Sequence, residues 1–377
     1  MKKIALLRSN PKDAAFERIA HALASEYEVE CYLWDRSGDY ASPNSHFRIA
    51  YRKFSLRAGY HSLSTLFFLV LYNAWLAFKL LFARFDALHA IDLDTGLIGL
   101  WISKVRRKPF VYHCLDPYAF ALPPTWPKTL GFFARKLENH VVSHSDVFII
   151  TDLLRMPQHE GSRPKRVIEF ANVPHQDMPE NSKAGQSIFI AGYIGSLIAG
   201  RNLRTIIEAM GELADRDIKL VLGGFGPMED DLKNCCRQYT NVEFIGWVPY
   251  QQVLEKELSF DVMLHITNKE NPAQRWVSPN KLFESMAMGK PIITGEGTLA
   301  AERVTRIGNG SIVPYGNKEA LQKAILDLKA NPGTRRRMGD KGREEFKRNW
   351  TYEIMAERLS VAYLELFKNC AQSRFFS

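Results

Sequence analysis

The chain has 377 residues, 46% hydrophobic and 24% charged, which is typical of a globular protein with about two domains. Its five cysteines show no CxxC or Cys/His ligand spacing, so neither a disulfide framework nor a zinc site is predicted. The formal net charge of +9 is typical of proteins that meet nucleic acid, anionic lipid or phosphorylated substrates. No nucleic-acid-binding module recurs along the chain, so nucleic acid is not expected as a partner. The first apolar run is too short for a signal peptide, which favours the cytoplasm.

Strands and helices alternate along the first half of the chain. Strands are predicted at residues 3–7, 28–33, 87–91, 110–114 and 147–150, and helices at 14–25, 96–104 and 130–143. A linker-like stretch at 170–186 follows. The pattern then begins again, with strands at 188–194, 218–222, 242–244, 262–266 and 292–294 and helices at 203–213, 228–237 and 250–257. Repeated βα units favour parallel sheets, so we expect two doubly wound α/β domains with a ligand in the cleft between them.

An apolar segment without a charged residue occupies positions 63–78. Three interpretations stay open: a buried helix of the first domain, a helix part-inserted in a bilayer interface, and a membrane span. A span usually needs roughly 20 predominantly apolar residues, and this segment contains Tyr72 and Asn73. Basic residues flank the segment at Arg48, Arg52, Lys53, Arg57, Lys79 and Arg84. These flanks favour contact of residues 48–84 with an anionic membrane surface.

The most informative stretch is residues 277–293, with the sequence VSPNKLFESMAMGKPII. A Ser-Pro-Asn-Lys turn precedes a predicted helix that carries Glu284, and a Gly-Lys-Pro sequence ends it before an apolar strand. The N–H groups and the positive dipole end of such a helix favour a phosphate. Glu284 can accept hydrogen bonds from neighbouring hydroxyls. A phosphate next to a diol indicates a ribose diphosphate.

Two earlier loops carry further candidate binding residues. Gly195 ends a predicted strand where a ligand can approach the backbone, and Arg201 can place a guanidinium against diphosphate oxygens. The loop at 223–227 joins a strand to a helix at the carboxyl edge of the second sheet, where nucleotides bind doubly wound sheets. The alternatives are that Gly195 is a plain turn glycine, that Arg201 is a solvated surface charge, and that the loop at 223–227 is an ordinary turn.

Four blocks of sequence, taken in order, resemble the retaining, nucleotide-sugar-dependent glycosyltransferases of family 4, which have the GT-B architecture. They are residues 192–203, 221–227, 242–248 and 278–291. The resemblance implies an acceptor-binding Rossmann-like domain over 1–180, a donor-binding domain over 181–350 and a C-terminal helix over 351–377 that packs back on the first domain. It also implies a surface-polysaccharide-assembling enzyme.

The same resemblance implies roles for single residues. The donor diphosphate would be bound by Gly195, Ser196, Arg201, Asn280 and Lys281. The nucleoside would be bound by Gly224, Phe225, Gly226, Pro227, Val248 and Glu284. Ser196 stands where many members carry an Arg, so Lys281 is the candidate replacement for that cation. Trp276 stands where the family has the first of two Glu residues, which usually handles the donor sugar.

The candidate catalytic residues are Asp116 and His113 in the sequence YHCLDPY, and a core or surface histidine is the alternative for His113. Many relatives have a His-Glu pair here, and Asp116 matches the acid while Leu115 stands at the usual His position. Donor phosphate oxygens are the alternative proton acceptor. No cofactor and no metal are expected. Asp92 and Asp94 have Asp-x-Asp spacing, but they lie in the acceptor half and are interpreted as helix-capping residues.

We therefore expect a cytoplasmic glycosyltransferase, peripheral on the inner face of the cell membrane. It would move a hexose from a UDP- or GDP-sugar to a lipid-linked glycan with retention of configuration, in the biosynthesis of lipopolysaccharide, capsule or another surface polysaccharide. The alternatives are a GT-B nucleotide-sugar epimerase or hydrolase, and a catalytically degenerate membrane-bound partner of another transferase.

Overall fold

The chain divides into two compact units. The computed structural model describes residues 1–11, 14–38, 40, 46–58, 63–122, 127–174 and 188–373. One unit holds residues 1–171 together with 353–377, and the other holds residues 172–352. The predicted domain boundary at residue 180 lies outside the described residues.

The first unit is built on a parallel sheet. Its elements are β1 (Lys3–Arg8), α1 (Ala14–Ala24), β2 (Glu28–Asp35), β3 (Ile49–Ser55), α2 (Leu63–Phe82), β4 (Ala87–Ile91), α3 (Leu93–Arg106), β5 (Phe110–Cys114), α4 (Tyr118–Ala121), α5 (Lys128–His144), β6 (Val147–Ile150) and β7 (Val167–Glu169). The seven strands have the order β3-β2-β1-β4-β5-β6-β7, and all neighbours pair in parallel. A 3₁₀ helix, Leu153–His159, lies between β6 and β7.

The second unit repeats the plan with six strands. Its elements are β8 (Phe189–Ser196), α6 (Leu203–Gly211), β9 (Ile218–Phe225), α7 (Glu229–Cys236), β10 (Val242–Gly246), α8 (Tyr250–Glu257), β11 (Val262–His265), α9 (Pro272–Arg275), α10 (Asn280–Ala287), β12 (Ile292–Gly295), α11 (Leu299–Ile307), β13 (Gly310–Val313), α12 (Lys318–Ala330) and α13 (Pro332–Asn349). The strand order is β10-β9-β8-β11-β12-β13, again all parallel. The predicted fold class of two doubly wound parallel-sheet domains is confirmed.

The last helix, α14 (Tyr352–Ser373), belongs to the first unit almost from its start. Polar contacts fasten it there, and they include the following three. Arg358 pairs with Glu169 at 3.4 Å, and the Tyr363 hydroxyl lies 2.9 Å from Nδ1 of His89. The third contact joins the Sδ atom of Met355 to the backbone N–H of Ala171, at 3.2 Å. The chain therefore returns to its first sheet after completing the second.

The apolar segment forms α2, which is longer than predicted and has two different sides. Tyr72, Leu76 and Leu80 are fully buried in the core of the first unit. The Tyr72 hydroxyl donates to the backbone carbonyls of Arg8 and Tyr32, at 3.0 and 2.9 Å. By length and composition the stretch 65–82 is able to cross a membrane, and it is the one such helix among the described residues. Its inner side, however, is part of the sheet's hydrophobic core.

Candidate functional site

The second sheet has a topological switch point at its centre. From β8 the chain moves outward to β9 and β10, and it then returns to place β11 on the other side of β8. Ligands of open α/β sheets bind outside the carboxyl ends of the strands at such a point. Gly195 and Ser196 end β8, and His265 ends β11. The predicted diphosphate residues of β8 therefore lie at the switch point.

Arg201 joins this group through a histidine that sequence analysis did not single out. Its Nη1 atom lies 3.1 Å from Nε2 of His265. A guanidinium can only donate, so Nε2 accepts and Nδ1 carries the ring proton. Burial and the nearby charges of Arg201 and Lys281 hold the pKa of His265 well below its usual value. A neutral imidazole thus holds the guanidinium at the carboxyl end of β11.

Helix α10 brings a buried charge cluster to the same edge. Lys281 Nζ lies 2.7 Å from a carboxylate oxygen of Glu257 and 3.6 Å from one of Glu284. All three side chains are buried. Burial and the neighbouring Glu284 raise the pKa of Glu257 to about 8, although Lys281 works against this. Burial by itself would lower the pKa of Lys281, but the two carboxylates raise it above its usual value.

The cluster changes the interpretation of Lys281. Lys281 was predicted to be a second cation for the diphosphate, but its ammonium group already contacts two carboxylates. Its aliphatic stem passes the end of β8, where a Cβ added at Gly195 would lie 3.4 Å from Lys281 Cε. The structure supports Lys281 as a residue that fixes Glu284 beside Gly195 more than as a free phosphate ligand.

The structure brings Arg201 and the α10 cluster into one neighbourhood. The charges of Arg201 and Lys281 both lower the pKa of His265. Burial raises the pKa of Tyr193, and the same two charges oppose that rise. The Tyr193 ring centroid lies 5.7 Å from Lys281 Nζ, and its hydroxyl donates to the Ser196 carbonyl at 2.8 Å. Tyr193 therefore links the end of β8 to α10.

The glycine loop after β9 packs directly on the loop after β8. Gly224 has a φ of +132°, and a Cβ added there would lie 1.7 Å from the carbonyl oxygen of Gly195. Gly226 has a φ of +154°, and an added Cβ would lie 2.5 Å from the carbonyl oxygen of Leu197. Loop-on-loop packing therefore requires glycine at both positions.

The remaining predicted donor residues lie on the same unit. Asn280 is the half-buried first residue of α10, and Ser196 is exposed at the end of β8. Phe225 and Pro227 are exposed in the glycine loop, and Val248 is buried just after β10. The exposed ring of Trp247 precedes Val248, which adds a second exposed aromatic residue to Phe225 at this sheet edge. Sequence analysis did not single out Trp247.

A cavity of about 370 Å³ opens beside the position of the missing family Glu. Trp276 and Arg275 line one part of it, and Glu296, Thr298 and Glu302 line another. Glu296 follows β12, so the cavity lies at the carboxyl edge of the same sheet. The cavity next to Trp276 is therefore lined by side chains of both charge signs.

In the first unit, Asp116 is exposed at the carboxyl end of β5 and is held from both sides. Arg155 donates to its carboxylate at 3.2 Å and to the Leu115 carbonyl at 2.6 Å. The carboxylate of Asp92 accepts from the backbone N–H groups of Leu115 and Asp116, at 2.7 and 3.3 Å. Asp92 also pairs with Arg8, which joins β1 to β4 at the switch point of the first sheet.

Two predictions for the first unit need correction. Asp92 does occupy the N-cap position of α3, but its φ is +62° and its side chain makes no capping hydrogen bond. Its carboxylate is used by Arg8 and by the loop after β5, as described above. His113 is fully buried, with its ring 5.6 Å from that of His89 and 5.9 Å from that of Phe170. Burial and the neighbouring His89 hold its pKa well below the usual value, so the structure does not support His113 as a base.

The fold and the site together define a class. Two parallel α/β sheets in succession, a C-terminal helix returned to the first unit, and a basic and carboxylate site at the second switch point are features of GT-B glycosyltransferases. Residues 176–345 match the family model of "Glycosyl transferases group 1". Over that part of the chain, the match confirms the resemblance to glycosyltransferases that the sequence blocks predicted.

Three similar proteins illustrate the relationship. A GDP-mannose-dependent monoacylated alpha-(1-6)-phosphatidylinositol monomannoside mannosyltransferase of Corynebacterium glutamicum is 27% identical over 168 residues, 44% of each chain. The capsular polysaccharide biosynthesis glycosyltransferase CapM of Staphylococcus aureus is 24% identical over 184 residues, 48% of this chain and 47% of that protein. The alignments thus span about half of these curated relatives. The crystal structure of Anabaena Alr3699/HepE in complex with UDP-glucose superposes with a TM-score of 0.70 at 15% identity, covering 97% of this chain and 100% of that one.

Proposed function

We propose that this chain transfers a hexose from a UDP- or GDP-sugar to a lipid-linked glycan with retention of anomeric configuration. The observation that carries the proposal is the placement of Arg201. Its guanidinium lies at the switch point of the second sheet, is held by neutral His265, and shares its neighbourhood with the carboxylate of Glu284. A cation beside a buried carboxylate suits a ribose diphosphate.

Arg201 and the backbone of the loop after β8 would bind the diphosphate. A guanidinium can donate two parallel hydrogen bonds to diphosphate oxygens. The N–H groups at the start of α10 add partial positive charge on the side of Asn280. These groups would stabilise the charge that develops on the departing nucleoside diphosphate.

Glu284 would bind the ribose. Its side chain is only 2% exposed, and one of its oxygens lies 3.6 Å from Nζ of Lys281. A carboxylate is an acceptor only, so the two ribose hydroxyls are suitable donors to it. Phe225 and Trp247 expose aromatic rings that can cover a nucleotide base.

The donor hexose is assigned to the side of Trp276. The cavity there offers Arg275, Glu296 and Glu302 to sugar hydroxyls, in place of the single Glu that the family usually has. A UDP-glucose complex of the Anabaena protein and the GDP-mannose dependence named for the Corynebacterium relative support a hexose donor.

Asp116 is our candidate for the base that takes the proton of the acceptor hydroxyl. Arg155 and Asp92 position it at the exposed end of β5, so its carboxylate can meet a substrate hydroxyl. Donor phosphate oxygens are the alternative acceptor of that proton.

A lipid-linked acceptor implies that the enzyme acts at the inner face of the cell membrane. The phosphatidylinositol mannoside named for the Corynebacterium relative is a lipid acceptor, and CapM is named for capsule synthesis. The apolar outer side of α2 supports peripheral attachment. We therefore propose a cytoplasmic, membrane-associated enzyme of surface polysaccharide synthesis.

Thermal unfolding with added UDP or GDP tests the donor site. The nucleotide that fits should stabilise the protein by ~2.7 kcal/mol when its concentration is about 100 times Kd. Arg201→Ala should lose most of this stabilisation. Arg204→Ala is the matched control, because Arg204 lies at the start of α6, close to Arg201 in sequence, but is exposed and pairs with Asp231. Equal stabilisation of parent and Arg201→Ala would remove the site assignment.

Sugar transfer is tested with membranes and radiolabelled UDP- or GDP-hexoses. Label in the lipid extract is the expected result for the parent, and Asp116→Asn should reduce its rate. If nucleotide binds but label appears only as free sugar, the hydrolase alternative gains. If nucleotide binds and no donor is consumed, the degenerate partner is the better description.

A further inference from the structure

Helices α2, α3 and α5 form one layer on the first sheet. Helix α3 contacts α2 on one side and α5 on the other, and the inner residues of all three join a single core cluster with the strands. Asn73 of α2 donates to the Asp94 carbonyl of α3 at 3.1 Å, which fixes the two helices to each other. Their outer sides therefore form one continuous surface.

That surface is unusually apolar. Of the 23 large hydrophobic side chains that are exposed among the described residues, 13 lie on these three helices, which together hold 51 residues. The most prominent are aromatic: Phe67, Phe78, Phe82, Trp101, Phe132 and Phe133, each at least half exposed. Exposed apolar side chains scattered singly are normal, but an apolar patch across three adjacent helices indicates a binding surface. We call these six residues the aromatic face.

The exposed charges that the three helices themselves carry have one sign. The three helices contain only two acidic residues, Asp94 and Glu138, and both are buried. Exposed cations are present on each helix, at Lys79, Lys104 and Lys136. The exposed carboxylate of Glu160, from outside the helices, pairs with Arg135 of α5 at 3.5 Å. A helix layer with exposed aromatic rings, lysines and no exposed carboxylate of its own is complementary to the headgroups and upper acyl region of an anionic bilayer.

We propose that the aromatic face, and not α2 alone, docks this protein on an anionic lipid bilayer. The inference deepens the membrane attachment included in the proposed function, and it adds α3 and α5 to the contact. Trp101 on α3 and the Phe132–Phe133 pair on α5 enter the interface beside Phe67 and Phe78 of α2. Lys104 and Lys136 stay at headgroup level, with their charges in water.

The contacts of α2 and its neighbours decide how the helix meets the bilayer. The helix lies along the sheet with Tyr72, Leu76 and Leu80 in the core, so it enters the bilayer from one side only. A spanning α2 would remove those residues from the core.

The predicted basic flank before α2 is partly engaged in contacts within the first unit. Arg52 pairs with Glu30 at 2.8 Å, and Lys53 donates to the Tyr40 carbonyl at 2.6 Å. The lysines of α2, α3 and α5 replace that flank as headgroup contacts.

Vesicle flotation of the full chain tests the proposal. The probes are vesicles of equal parts phosphatidylglycerol and phosphatidylcholine, and vesicles of phosphatidylcholine alone. The triple variant Trp101→Ser, Phe132→Ser, Phe133→Ser removes aromatic residues of α3 and α5 only. Binding to the anionic vesicles should fall roughly tenfold or more, since a buried aromatic side chain is worth more than one factor of ten. Phe67→Ser with Phe78→Ser should produce a similar loss.

The matched control replaces exposed apolar residues elsewhere on the first unit. Val361→Ser with Leu364→Ser on α14 removes two side chains that are 41% and 48% exposed, and its binding should equal that of the parent. Lys104→Glu with Lys136→Glu should weaken anionic binding several-fold per charge without affecting the core, because both side chains are exposed. This variant also keeps the test decisive if the triple variant does not fold.

The outcomes separate this proposal from the donor site. Loss of flotation with unchanged UDP or GDP stabilisation supports the aromatic face. Unchanged flotation of the triple variant restricts the contact to α2 and overturns the proposal. A parent that ignores vesicles but forms a dimer that the triple variant abolishes also overturns it, with a second copy as the occupant. A parent that floats but binds no nucleotide leaves the aromatic face supported and refutes the proposed donor site.

Discussion

Replacement of Lys281 by Met should destabilise the second unit strongly. The ammonium lies 2.7 Å from Glu257 and 3.6 Å from Glu284, and all three groups are buried. When Glu257 is ionised, a unit charge pair at the shorter distance attracts by about 6 kcal/mol at an effective dielectric constant of about 20, before desolvation is subtracted. Methionine retains the length of the stem but leaves two carboxylates without their cation. Breaking a buried pair in this way costs about 3–5 kcal/mol.

The double variant Lys281→Met with Glu257→Gln separates charge from packing. If the uncompensated carboxylate causes the loss, removing it should recover most of the stability. The pKa of Glu257 is raised to about 8, so the group holds a proton more tightly in the folded state than in the unfolded one. Lys281 lowers this pKa, so the pKa of Glu257 should be higher still in Lys281→Met. The parent and the variant should therefore lose stability in parallel up to about pH 8, and the extra loss in Lys281→Met should appear above that pH, where only the parent ionises Glu257 next to a cation.

Urea unfolding followed by circular dichroism measures these effects from about pH 6 to about pH 10, on both sides of the pKa of Glu257. Lys323→Met is the matched control, since Lys323 pairs with Asp327 on the exposed side of α12. A cost for Lys281→Met below about 1 kcal/mol, equal to that of the control and unaffected by Glu257→Gln, would show that the cluster is not a buried ion pair.

Three further changes have defined outcomes. Gly224→Ala forces a Cβ onto the Gly195 carbonyl, so it should lower the unfolding temperature and abolish nucleotide stabilisation; a variant with parental nucleotide binding would contradict the packing argument. Asp116→Asn should lower kcat by about 10²–10⁴-fold without changing nucleotide affinity, and an unchanged kcat would assign the proton to a donor phosphate. Burial raises the pKa of Glu138 to about 8, so its contribution to stability is complete below about pH 4.5 and is lost as the pH rises through 8. In that window the free energy of unfolding of the parent should fall by up to about 1.4 kcal/mol per pH unit, and Glu138→Gln should remove this slope. If the exposed control Glu160→Gln reduced the slope equally, the assignment to Glu138 would be refuted.

Sequence patterns predicted the two parallel sheets because buried parallel strands are continuous apolar runs between helices with a 3.6-residue period. The pattern did not predict β3, which forms the edge of the first sheet. Its sequence IAYRKFS places two basic residues next to each other and lacks regular alternation. Pairing with β2 along seven residues compensates for that lack, and such long-range pairing is not visible in a local window.

The candidate site was predictable where it depends on loops and helix starts. Gly195, Arg201 and Glu284 follow strands or lie on a helix whose start is marked by Ser-Pro-Asn. The partners that hold them were not predictable. Glu257 ends α8 as an ordinary charged residue in sequence, and only the fold buries it against α10. One sequence feature could have identified His265 as a site residue, since it is a polar residue at the carboxyl end of a buried strand.

Calorimetric titration with UDP or GDP, and with the matching nucleoside, tests the site most directly. If Arg201 binds the diphosphate and Glu284 binds the ribose, Arg201→Ala should weaken the nucleoside diphosphate by roughly 10–100-fold and leave the nucleoside unchanged. Glu284→Gln should weaken both ligands. Equal affinities of parent and Arg201→Ala for the diphosphate, or equal losses for diphosphate and nucleoside, would contradict the assignment of Arg201.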